Sequence, residues 1–97
     1  MREPVYLFRV ADSFEIQDRG CVLLPGIPRE LALSYRKGRL RLHHPDGTER
    51  EVFFDLELAL ISGKEGTREE PMCLARDVSK ADVPLGTEVW FIGVRDA

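Results

Sequence analysis

The residues with the most chemical reach in this 97-residue chain are scattered arginines, acids and aromatics, with no compact catalytic constellation among them. In the stretch FEIQDRGCVLLPG, residues 14–26, Arg19 can fork onto a phosphate or carboxylate and Phe14 can stack on a base. A second set, Arg36, Lys37, Arg39 and Arg41, leads into His43 and His44 and is the best electropositive candidate for RNA. His43 and His44 are adjacent, and neighbours on a strand face opposite ways, so they do not ligate one ion together and no metal is expected. No Ser-His-Asp spacing, nucleophile elbow or distinctive acid pair is present. The chain reads as non-catalytic, with no cofactor.

Each of these residues also has a plainer role. Gly20 suits a bulge or tight bend, Arg19 can cover that bend, and Phe14 can fill a core. Glu57 on a polar strand face reads as a solvated charge. Glu49, Glu51 and Asp55 follow the basic run closely enough to neutralise it across a hairpin. Trp90, in EVWFIGV, is expected in the core or at a barrel end.

The elements that must position them are strands. In REVFFDLELALI the apolar residues Val52, Phe54, Leu56, Leu58 and Leu60 alternate with Glu51, Asp55 and Glu57, a period of two that buries one face. Before it, Leu40 and Leu42 alternate with Arg39, Arg41 and His43, and a Pro45-Asp46-Gly47 loop joins the two runs. With His44 opposite Thr48, Leu40 faces Val52, Arg41 faces Glu51 and His43 faces Glu49. PVYLFRV, GCVLL, LALSY, PMCLAR and EVWFIGV read as further strands. DVSKADVP allows one helical turn before Pro84, and residues 62–71, SGKEGTREEP, read as a mobile polar loop. Six or seven strands in one domain, residues 1–97, predict an all-β fold, a small closed barrel or a sandwich.

Composition narrows the partners. At 43% apolar and 32% charged the chain is ordinary for a globular protein, and its net charge of -3 speaks against gripping nucleic acid by bulk electrostatics. Cys21 and Cys73 lie in apolar runs and are expected to be reduced and buried. No basic-then-apolar leader follows Met1 and no apolar run approaches a membrane span, so a cytoplasmic location is expected.

The segment YLFRVADSFEIQDRGCVLLPGIP resembles the opening of the second, β-barrel domain of translational GTPases of the elongation factor Tu type. Asp12, Phe14, Ile16, Arg19, Gly20, Val22 and Gly26 stand at the places of that family's Asp-x-Phe-x-Ile-x-x-Arg-Gly-x-Val segment and strand-ending glycine. YRKGRLRL, VFFDLEL and CLARDVSKADVPLGTEVW are similar to its later strands, so the likeness spans most of residues 6–92. Cys21 replaces the family's usual threonine after Arg-Gly, and no G-x-x-x-x-G-K-[ST] occurs, so the likeness is to the barrel without its GTPase domain. It implies a small closed Greek-key-like barrel that docks RNA, tRNA or the ribosome through Asp12, Phe14, Arg19, Gly20 and the acid Glu57; Arg39 and Arg41, from the basic run, complete the candidate RNA-binding residues independently of the likeness. The competing expectation is a protein-protein interaction or regulatory accessory module, which suits the acidic balance and mixed charge better.

Overall fold

Alternation of apolar and charged residues over residues 37–56 builds the hairpin on which the molecule is organised. The computed structural model describes residues 4–32, 34–64 and 66–93. Strand β4 (Lys37–His43) turns through Pro45, Asp46 and Gly47 into β5 (Glu49–Gly63). The His44 N–H donates to the Thr48 carbonyl at 2.8 Å, and Leu40 pairs with Val52, Arg41 with Glu51 and His43 with Glu49, the register read from the turn chemistry. The turn is fastened by Asp46, whose Oδ1 accepts from the Thr48 backbone N–H at 2.9 Å and from its hydroxyl at 2.6 Å. Those bonds hold the Asp46 carboxyl below its ordinary pKa.

Around this hairpin lie β1 (Val5–Arg9), β2 (Asp12–Ile16), β3 (Gly20–Leu24), β6 (Gly66–Arg76) and β7 (Glu88–Gly93). They form one antiparallel seven-stranded sheet in the order β1-β7-β4-β5-β6-β3-β2. The fold is all-β, and among the described residues the remaining regular structure is a single helical turn, α1 (Arg29–Ala32), and a 3-10 turn at Lys80–Asp82. The 3-10 turn stands where DVSKADVP allows one.

β1 and β2 occupy opposite edges of the sheet, yet only Val10 and Ala11 separate them in the chain. Val10 donates to the Thr87 carbonyl at 2.8 Å and accepts from Gly86 at 2.9 Å, extending the β1–β7 side, while Ala11 donates to Leu24 at 2.8 Å, extending the β2–β3 side. The sheet curls into a half-barrel, and one continuous run of backbone links its two edge strands. Leu23, Leu40, Leu42, Phe54, Cys73, Val89 and Phe91 fill its concave side, with Phe54 and Phe91 edge to face at 6.1 Å. Leu31 and Tyr35 pack against one end of this core, the Tyr35 ring 4.5 Å from Phe91.

Three local expectations change. The stretch 14–26 is a hairpin, not one bent strand, because Asp18 takes a left-handed φ of 64° and the Arg19 N–H bonds back to the Ile16 carbonyl at 3.0 Å. LALSY does not extend as a strand; Pro28 lacks a donor and suits a helix start, and the Leu31 N–H bonds to the Pro28 carbonyl at 2.9 Å to open α1. Residues 62–71 are largely strand, since Gly63 pairs with Gly66 across a tight turn and β6 runs back along β5.

Candidate functional site

The convex side of β1, β7, β4 and β5 carries the residues that the core leaves over. Val89 and Phe91 point inward, so Glu88 and Trp90, which alternate with them, point out. Trp90 pairs in register with Tyr6 on one side and Arg41 on the other, and Arg41 pairs in turn with Glu51. One row of the sheet thus reads Tyr6, Trp90, Arg41, Glu51. The row beside it reads Arg9, Glu88, His43, Glu49, with each acid next to an arginine or a histidine.

Tyr6 and Trp90 meet edge to face at 5.3 Å, and Tyr6 is 44% exposed. The indole is held from below: its Nε1 donates to Glu88 Oε1 at 3.3 Å, and the other carboxylate oxygen accepts from Arg9 at 2.9 Å. The bond from Arg9, and then that from Trp90, hold the Glu88 carboxyl below the usual carboxylate pKa. The His43 ring lies 6.2 Å from Trp90, and Pro4, Arg41, His43 and Trp90 line a shallow groove beside it. Aromatic faces framed by fixed charges can pack on an apolar or stacked group while the rim supplies polar contacts.

Acids offset part of the positive charge on this face. Arg39 and Arg41 share Glu51 at 3.6 and 3.4 Å, and His43 Nε2 lies 2.9 Å from Glu49. Such exposed pairs contribute about 0–1 kcal/mol each, so they shape the surface potential more than they hold the fold.

The other convex side, over β2, β3 and β6, gathers most of the residues singled out from the sequence. Arg19 and Glu57 form an ion pair, so two residues 38 positions apart in sequence do meet. Phe14 is 41% exposed, which overturns the expectation that it fills the core: it alternates with the buried Ser13 on the short edge strand β2, so its ring faces out over Val22. Val22 and Leu74 are buried beneath it, apart from the main core. Asp12 stands at the start of β2, with its Oδ1 accepting from the Ser13 N–H at 2.8 Å. Gly20 is required by backbone: its φ is +145° and a Cβ there would sit 2.1 Å from the Ala75 carbonyl oxygen. Arg39 and Arg41 lie on the Trp90 side and are not part of this group.

Trp90 itself is outside the core, a correction that the period of two in EVWFIGV already carried: with Val89 and Phe91 inward, the indole has to face out. Tyr6, which no sequence motif marked, joins it only through the β1–β7 register. Cys21 and Cys73 are free, buried thiols, as expected. Among the described residues no group of three or more His, Cys, Asp or Glu could hold a metal ion, and no helix is long and apolar enough to cross a membrane. No family model, curated protein or solved structure gave a significant match to this chain.

Proposed function

We propose that the chain is a non-catalytic, cytoplasmic protein-interaction module whose recognition surface is the convex face of β1, β7, β4 and β5. The observation that carries this reading is the Tyr6–Trp90 pair, held outward in register with Arg41 on a surface whose arginines have acids beside them. Trp, Tyr and Arg are the residues most enriched among binding hot spots, and arginines already engaged by acids suit a protein surface better than a polyphosphate. On this reading residues 5–16 act as one bent strand that pairs with β7 by its first half and β3 by its second, closing a six-stranded Greek-key-like barrel. Such a barrel is the fold implied by the likeness to the second domain of translational GTPases.

A second reading, contact with RNA or the translation machinery, is favoured by the grouping of Phe14, Arg19, Gly20 and Glu57 on one side of β2 and β3. The two separate by experiment. Affinity isolation with Tyr6→Ala and Trp90→Ala against the unaltered chain should lose the partner with either variant; a partner retained by both contradicts the protein reading. Titration with tRNA should leave amide signals around Arg19 unmoved, whereas shifts there that weaken as salt rises would turn the assignment to RNA.

A further inference from the structure

The β5–β6 hairpin outruns the rest of the sheet. β4 pairs with β5 only as far as Asp55, and β3 pairs with β6 only as far as Cys73, while the β5–β6 ladder continues to Gly63 and Gly66. From Glu57 and Met72 outward, no third strand lies alongside among the described residues. At about 3.4 Å per residue this arm extends about 20 Å, in a molecule whose longest dimension is 41 Å. Two-stranded ribbons are marginal alone in water, so an arm of this length invites a further strand.

Its two edges differ. The β6 edge is guarded: Arg68, Glu69, Glu70 and Pro71 are the residue types that discourage strand pairing, and the chain at Gly26 already passes close to Pro71, where an added Cβ would stand 2.8 Å from the Pro71 carbonyl. The β5 edge, residues 58–62, reads Leu-Ala-Leu-Ile-Ser and has no charge and no proline. Its backbone phase is fixed by the bond from the Leu56 N–H to the Arg36 carbonyl at 2.6 Å, on the side away from β6. By the period of two, Leu58, Leu60 and Ser62 turn their N–H and C=O groups to that same open side.

We propose that this edge pairs with the β5 edge of a second copy of the chain, antiparallel about a twofold axis at Leu60. In that register Leu60 exchanges both backbone hydrogen bonds with Leu60 of the second copy, and Leu58 does so with Ser62 of the second copy. Ala59 falls opposite Ile61 and Leu60 opposite itself, so apolar residues meet around the axis, with the two Leu58–Ser62 pairs at the ends mixed but uncharged, and the interface is self-complementary as a twofold contact requires. The same operation on β6 about Glu69 would set Glu69 against itself, a like-charge pair that disfavours it. Antiparallel arms place the two sheets at opposite ends of the ribbon, and the pairing ends before Leu56, whose N–H is already taken by the Arg36 carbonyl.

Sedimentation equilibrium of the full chain gives a mass twice the 11.1 kDa of one copy, and Leu60→Arg, which places like charges at the axis, returns it to one copy. Leu60→Cys, oxidised, yields a covalent dimer, because residues opposed in a hydrogen-bonded pair lie about 5.5 Å apart, within disulfide reach. Glu69→Cys on the opposite edge does not. A strand-rich circular dichroism spectrum shared by all variants shows that folding is not the cause. A single-copy mass for the unaltered chain at the highest soluble concentration, or crosslinking through position 69 in place of 60, overturns the proposal.

Discussion

Gly20 offers the sharpest test of how the hairpin β2–β3 is held against β6. In Gly20→Ala the new Cβ meets the Ala75 carbonyl oxygen at 2.1 Å and the Arg76 Cα at 3.1 Å. Van der Waals separations near 3.5 Å then require the β3–β6 ladder to open by more than about 1 Å. The backbone at φ +145° adds strain of about 1–3 kcal/mol, and loosening the Gly20–Arg76 and Cys21–Ala75 pairings costs about 1 kcal/mol for each bond lost. Together these predict a loss of about 3–5 kcal/mol, a large part of the about 5–15 kcal/mol that holds a domain of this size. Gly47→Ala is the control: its φ is +92° but nothing lies within 4 Å of the added Cβ, so only the backbone cost of about 1–2 kcal/mol applies. Urea unfolding of the two variants measures the difference. If Gly20→Ala loses no more than Gly47→Ala, within about 0.5 kcal/mol, the close approach of β3 to β6 is not what Gly20 is for.

Other expectations follow from the core and its titrating groups. Phe54→Ala, at a residue 1% exposed and in edge contact with Phe91, should cost about 3–5 kcal/mol and be plain in a thermal melt; a loss under about 1 kcal/mol would contradict the packing. Burial pushes both thiols up in pKa, Cys73 most strongly. Unfolded thiols ionise near about pH 8.5 while the folded ones keep their protons, so stability contributed by the thiols is intact below that pH and is lost as pH rises above it. Cys73→Ala should flatten the alkaline decline in urea midpoint; an unchanged slope removes burial of that thiol as its cause. The Asp82 carboxyl is held below its ordinary pKa first by the Ser79 N–H and then by its hydroxyl, so its contribution is present above the unfolded carboxylate pKa and is lost as pH falls. Ser79→Ala should raise its titration midpoint by NMR, and no movement would show that the hydroxyl does not act on it.

Where turn chemistry and alternation agreed, the chain could be read to the residue. The β4–β5 register followed from Pro45, Asp46 and Gly47 and from leucines spaced by two, because a one-residue slip would have turned Leu40, Leu42, Val52 and Phe54 to solvent. The need for Gly20 was also legible, though not its partner, since Ala75 lies far along the chain. The hairpin around it was hidden because the left-handed position falls to Asp18, with no glycine, asparagine or proline to mark the turn. The return strand of the arm was hidden for a related reason: SGKEGTREEP is polar and carries no apolar alternation, so it resembled a loop. The pairing of Tyr6 with Trp90, and of Arg19 with Glu57, depends on strand order, which no local pattern encodes.

The central claim, that the Tyr6–Trp90–Arg41 face is the recognition surface, is tested most directly by placing a photo-crosslinking aromatic amino acid at Tyr6 in one protein and at Phe14 in another, and irradiating each in cell extract. The account predicts one discrete protein adduct through position 6 that disappears when Trp90→Ala is added, and none through position 14. Adducts formed through position 14, or nucleic acid crosslinked through either position, would contradict it.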